Sequence, residues 1–166
     1  MKKAFLFIIG LLLLTPSMIS AQHAPKREFR GAWIHVIGQN QYMNMSSVEM
    51  KYYLTEILDS LKACHVNAIV FQVRPAADAL YYSEIEPWSR YLTGVQGQAP
   101  GGNFDPMDFM IDECHRRGME FHAWLNPYRV TASANDELVK DHIFWQHPEW
   151  FVRYGNQIYF DPGLPQ

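Results

Sequence analysis

The chain has 166 residues, 48% hydrophobic and 14% aromatic, which suits one domain with a packed core and excludes general disorder. Its formal net charge is −3 and it carries no basic cluster, which argues against a nucleic-acid partner. The two cysteines, Cys64 and Cys114, each fall near the end of a predicted helix and read as small core residues rather than as a bridge.

Lys2 and Lys3, the apolar run Ala4 to Leu14 and the small pair Ser20-Ala21 mark residues 1–21 as a secretory signal peptide, with cleavage expected after Ala21. The run is short for a membrane span, and no cysteine follows it to accept a lipid. The mature chain is therefore expected to be exported, periplasmic or extracellular, and free of the membrane. It keeps 12 basic and 17 acidic residues, a net charge of −5. Residues 22–29 form a polar lead-in.

The first predicted strand is Arg30 to Ile37, with Ala32, Ile34 and Val36 on one face and Trp33 and His35 on the other. An amide-rich loop, Gly38 to Met45, follows. Ser46 and Glu49 fit a capping box opening a helix that runs to about His65. Its buried stripe is Met50, Leu54, Ile57, Leu58, Leu61 and Cys64. The second strand, Asn67 to Arg74, sets Ile69, Phe71 and Val73 against Val70, Gln72 and Arg74, and Pro75 ends it. Pro75 to Asn103 is a long connection, too aromatic for a plain linker, and reads as an ordered binding loop. Asp105 caps a second helix with Pro106 in its first turn, and Gly118 closes it. The third strand starts at Glu120, places His122, Trp124 and Asn126 on one face, and ends at Pro127. Thr131 to Ala134 is a loop, Asn135 or Asp136 is expected to cap a short helix toward Lys140, Pro148 breaks Trp145 to Val152, and Gln157 to Phe160 is a short strand before the Asp161-Pro162-Gly163 turn. Leu164 to Gln166 carry no signal of a finished domain.

Cys64-His65 and Cys114-His115 lie 50 residues apart, each soon followed by a strand that ends in a polar residue and proline, a repeated helix–strand unit. Alternating strands and helices mean a parallel sheet, either an open doubly wound sheet or a (β/α)8 barrel. An open sheet buries both faces under helices and should be apolar on both. Here one face carries Trp33, His35, Gln72, Arg74, His122, Trp124 and Asn126, increasingly polar toward the strand ends, which suits the mouth of a barrel. No Gly-x-Gly-x-x-Gly follows a strand. The fold class read from the sequence is thus α/β, the N-terminal part of a (β/α)8 TIM barrel. A barrel needs roughly 250 residues, so residues 30–166 supply about three of its eight units and read as a barrel domain truncated at the C-terminus.

Asp78, four residues past Arg74, is the acidic residue nearest a strand end and the candidate catalytic carboxyl. Gln72, Arg74, Asn126, Tyr128 and Arg129 are candidate substrate-positioning groups, since amides and guanidinium forks match hydroxyls and carboxylates. For Arg74, an ion pair to a loop carboxylate is an equal alternative. Trp33, Trp88 and Trp124 are candidates to stack on sugar rings, and His35 to hydrogen-bond near the site. Two histidines on separate strands do not make a zinc site, so neither a metal nor another cofactor is expected.

FRGAWIHV, NAIVFQVRPAADALY, EPWSRYLTG, FDPMDFMIDECHRRGMEFHAWLNPYRV and the late FDPG together resemble the glycosyl hydrolase-like 10 family. The resemblance covers nearly all of the mature chain. It implies an exported bacterial (β/α)8-barrel protein that hydrolyses cell-wall glycan, denuded peptidoglycan strands or a related polysaccharide. It further implies a main acid pair beyond Gln166, on a fourth strand past the Asp161-Pro162-Gly163 turn. The alternatives are a glycan-binding barrel without catalysis and, with less support, a metal-dependent deacetylase or lyase.

Overall fold

The structure, a computed structural model, describes residues 28–133 and 135–165. The expected signal peptide, most of the lead-in and Gln166 lie outside the described residues. Three parallel strands, β1 (Gly31–Ile34), β2 (Ala68–Arg74) and β3 (Glu120–Leu125), form a sheet in the order β1-β2-β3. The first crossover is α1 (Ser47–Ala63). The second contains a one-turn helix, α2 (Arg90–Thr93), and then α3 (Pro106–Arg116). The fold is mixed α/β with a parallel sheet, as the alternation of elements implies. No helix among the described residues is long and apolar enough to cross a membrane.

Both long helices start where their caps dictate. The Ser46 hydroxyl accepts from the Glu49 amide at 3.3 Å and the Glu49 carboxylate accepts from the Ser46 amide at 2.8 Å, the reciprocal box that satisfies two orphan donors. Those bonds hold the Glu49 pKa below its ordinary value. Asp105 Oδ1 accepts from Met107 and Asp108 at 3.0 and 3.1 Å. Two residues past the last residue of each helix, His65 after α1 and Gly118 after α3 take the left-handed conformation that turns the chain toward the next strand (φ 62° and 63°).

The sheet has two unlike faces. Register places Ala32, Ile69 and Phe121 in one row and Ile34, Phe71 and Ala123 in the next. That face packs on Met50, Leu54 and Leu58 of α1 and Met110 and Cys114 of α3 in one core. Arg117, bonded to Asp59 at 2.7 Å, joins the two helices at their ends. The other face carries Trp33, Val70 and His122 in one row and Gln72 with Trp124 in the next, and no helix among the described residues covers it.

Several expectations need correcting. β1 stops at Ile34 because the amides of Val36 and Ile37 bond a side chain, Gln72, instead of the ladder. Cys64 is exposed at the end of α1 rather than part of its stripe, while Cys114 is buried; both are free thiols. No helix runs from Asp136 to Lys140. Asp136 instead turns back, its carboxylate accepting from Ala132 and Ser133 at 2.7 and 2.9 Å. A one-turn helix, α4 (Ile143–Gln146), forms later, capped by His142. Trp145 to Val152 is broken at Pro148 as expected, but it leads into an unforeseen strand, β4 (Phe151–Tyr154). β4 pairs antiparallel with β5 (Gln157–Phe160) through a turn at Gly155, where φ is 59°. This hairpin closes a second small core of Ala77, Val130, Phe144 and Ile158.

Candidate functional site

The strand ends of β1, β2 and β3 bring most of the expected residues together, in two distinct states. Gln72, Arg74 and Asn126 are bonded to the protein itself. Gln72 is 1% exposed, and its carbonyl oxygen accepts from the amides of Val36 and Ile37 at 3.0 and 3.5 Å, fastening β1 to β2. Arg74 Nε lies 2.7 and 2.9 Å from the two carboxylate oxygens of Glu86, and its Nη2 bonds the same group. Its Nη1 donates to the carbonyls of Asn126 and Pro127 at 2.7 and 3.3 Å. The Asn126 side chain donates to the Pro75 carbonyl at 2.9 Å and accepts from the Trp124 indole at 3.0 Å. Of the two readings of Arg74, the loop ion pair is therefore the one observed.

The second group is wholly or partly open to solvent. Trp33 is 66% exposed and meets Trp124 edge to face at 5.1 Å between ring centroids. His35 is exposed and its Nε2 accepts from the Gln39 amide at 3.0 Å. The same amide chain continues through Gln41 to the Tyr53 hydroxyl. Trp33, His35, Gln39, Gln41 and Tyr53 border a hollow of about 250 Å³ beside β1. Tyr128 is half exposed, and Arg129 pairs across an antiparallel bridge with Tyr159 of β5. Trp88 is half-buried within the long loop, where its backbone bridges Ala79.

Asp78, the expected catalytic carboxyl, is 0% exposed. It accepts from the Ala76 amide at 3.2 Å and from Gln96 at 3.4 Å, and lies within reach of Ser89. Burial raises its pKa to about 6 against the pull of Gln96, Ser89 and Arg90 toward the charged form. Its partners are the loop it sits in, so its geometry is that of a strut beneath the mouth. The acid pair expected beyond Gln166 lies outside the described residues, which end at Pro165.

Sequence reasoning missed the groups that hold this loop. Ser89 caps α2, Arg90 pairs with Asp136 at 3.5 Å and bonds the Glu137 carbonyl at 2.6 Å, and Gln96 accepts from the Val139 amide at 3.1 Å. His142, 0% exposed, accepts on Nδ1 from the Phe144 amide at 3.0 Å, so Nε2 carries the proton and donates to the Ala77 carbonyl at 3.1 Å. Burial lowers its pKa below 6.5. No periodicity signals such ties, because their ends lie in irregular chain or one-turn helices far apart in sequence. Among the described residues no three His, Cys, Asp or Glu side chains gather as metal ligands.

The profile of the family described as glycosyl hydrolase-like 10 matches residues 28–166, which spans the sheet, both long helices and the hairpin. The chain belongs to the glycosyl hydrolase-like 10 family. Glycosyl hydrolase YngK of Bacillus subtilis (strain 168) is 43% identical over 165 residues, covering 96% of this chain and 32% of the relative. Glycosyl hydrolase DigH of Escherichia coli (strain K12) is 33% identical over 157 residues, covering 82% of this chain and 35% of the relative. This glycosyl hydrolase-like 10 chain thus spans about a third of the length of the curated relatives it matches.

Proposed function

We propose that the strand-end face is part of the glycan-binding mouth of a glycoside hydrolase built on a (β/α)8 barrel, acting on bacterial cell-wall glycan of the denuded peptidoglycan type. In this reading residues 1–21 direct export and residues 30–166 belong to the barrel domain. The observation that carries it is the division of labour at the strand ends. Gln72, Arg74 and Asn126 lock the strands together, and Trp33, Trp124, His35, Tyr128 and Arg129 remain to meet a ligand. An edge-to-face tryptophan pair beside an amide–histidine chain offers sugar-ring stacking and hydroxyl recognition together. Arg129 suits the lactyl carboxylate of a muramic acid unit. The barrel reading is supported by the two unlike sheet faces and by the relatives' greater length. It is supported too by an apolar groove of about 810 Å³ along α1, lined by Val48, Tyr52, Tyr53, Ile57 and Leu61, the last three of which also line the hollow beside β1.

Hydrolysis needs two carboxyl groups at the scissile bond. We assign Asp78 to holding the loop, since it is sealed from solvent, and expect the acid pair beyond Gln166, on a later strand of the full-length protein. The test is the strand-length profile of purified denuded glycan incubated with the full-length protein. Shortened strands support the hydrolase, and an unchanged profile overturns it. Binding without shortening supports a glycan-binding barrel instead. With Trp33→Ala or Tyr128→Ala, glycan affinity should fall by about 1–3 kcal/mol per residue, measured by calorimetry.

A further inference from the structure

We infer that Glu86 is a positioning residue for this mouth: by holding Arg74 it sets the exit of β3, from which Tyr128 and Arg129 project. The inference rests on the glycan-binding reading above for its functional half and on geometry for the rest. An arginine carries five N–H donors in a rigid planar fork, so fixing one edge of the fork aims the other. Glu86 takes the Nε–Nη2 edge with both carboxylate oxygens. That leaves Nη1 pointed at the carbonyls of Asn126 and Pro127, the two residues directly before Tyr128. Arg74 Cζ lies over the Phe160 ring, 5.8 Å from its centroid, so β5 also borders the guanidinium.

Glu86 is itself held. The Ser83 hydroxyl accepts from the amides of Ile85 and Glu86, both at 3.1 Å, and the Pro87 carbonyl accepts from Ala79 at 2.9 Å. The carboxylate is therefore delivered from an ordered turn. Arg74 and Glu86 are only 12% and 13% exposed, so the pair is shielded from water, where geometry counts most. Three of the contacts to Arg74 fall on the two oxygens of Glu86, and we assign it the part of a support.

The experiment compares the full-length wild type with Glu86→Gln and Glu86→Asp. Glutamine keeps the shape but removes the charge and sets an amide N–H against the guanidinium. For Glu86→Gln the expected result is a rise in KM for glycan strands on the order of ten- to a hundredfold with little change in kcat. Glu86→Asp, which restores the charge one methylene short, should recover part of that loss. The amides of Asn126 and Val130 should exchange hydrogen faster in Glu86→Gln, while those of β1 should not. An unchanged KM overturns the inference. So does a loss of activity that merely tracks the fraction unfolded. If the wild type leaves glycan uncut, the hydrolase reading fails, and the exchange comparison still decides the support. Faster exchange at Asn126 and Val130 upholds it, and equal exchange overturns it.

Discussion

Gln72 shows why a polar residue at the end of a buried strand is ambiguous. The same carbonyl oxygen suits a sugar hydroxyl or a backbone amide, and here Val36 and Ile37 take it. Replacing it by the similarly shaped Met leaves the Val36 N–H buried without a partner, which costs about 1–3 kcal/mol. Thermal or urea unfolding of Gln72→Met in the full-length protein should show that loss. Asp78 and His142 set a pH dependence of opposing signs. The Asp78 pKa is raised to about 6, so its contribution to stability is complete below the ordinary carboxylate value and is lost as pH rises through 6. The His142 pKa is depressed, so its contribution is present above 6.5 and is lost as pH falls below that value. Asp78→Asn removes the first effect alone. The stability of wild type relative to Asp78→Asn should therefore grow as pH falls from 7 to 4, by up to roughly 3 kcal/mol, read from melting curves across that range.

At the scale of elements, periodicity and caps were legible and irregular chain was not. Met50, Leu54 and Leu58 recur every fourth residue and are buried as the spacing requires. Ser46 and Asp105 start their helices because their side chains satisfy amides that nothing else reaches. Ser46→Ala should cost about 1 kcal/mol and Leu54→Ala about 2–5 kcal/mol in denaturant unfolding. The Cys-His repeat was a looser guide. Cys64 is the residue after α1, whereas Cys114 is still inside α3, and the true counterparts are the left-handed His65 and Gly118. α2, α4 and β4, four residues each, are too short for a period to stand out, whereas the equally short β5 is marked by the Asp161-Pro162-Gly163 turn that follows it. The ties of the long loop escaped for a different reason. Arg90 meets Asp136, and Arg74 meets Glu86, across spacings that no local rule connects.

For the whole molecule, the decisive contrast is between the two faces of one sheet. The face bearing Ile34, Ile69 and Phe71 is sealed by α1 and α3, while Trp33 and His122 on the other stand open. Gly31 permits the packing seen near that open face at β1, since a Cβ there would lie 2.7 Å from the Phe29 ring, which rests edge-on against His122. If later strands and helices close a barrel, the α1 groove becomes interior. Val48→Arg, at a site 74% exposed in this structure, should then destabilise the full-length protein by roughly 2 kcal/mol or more. An unchanged melting temperature would argue for an open sheet.

The Arg74–Glu86 pair also bears on transplantation. Loops at strand ends are usually the parts that can be exchanged between members of a family while the scaffold stays the same. Here residues 75–103 lend the scaffold one of its own fasteners, because Glu86 belongs to the loop and Arg74 to the strand. A chimera that imports a foreign loop without an acid at this place would strand a shielded guanidinium and slacken the turn at Pro127. Swaps that carry the glutamate with them should be tolerated, and those that omit it should need a neutral residue at position 74 to be soluble.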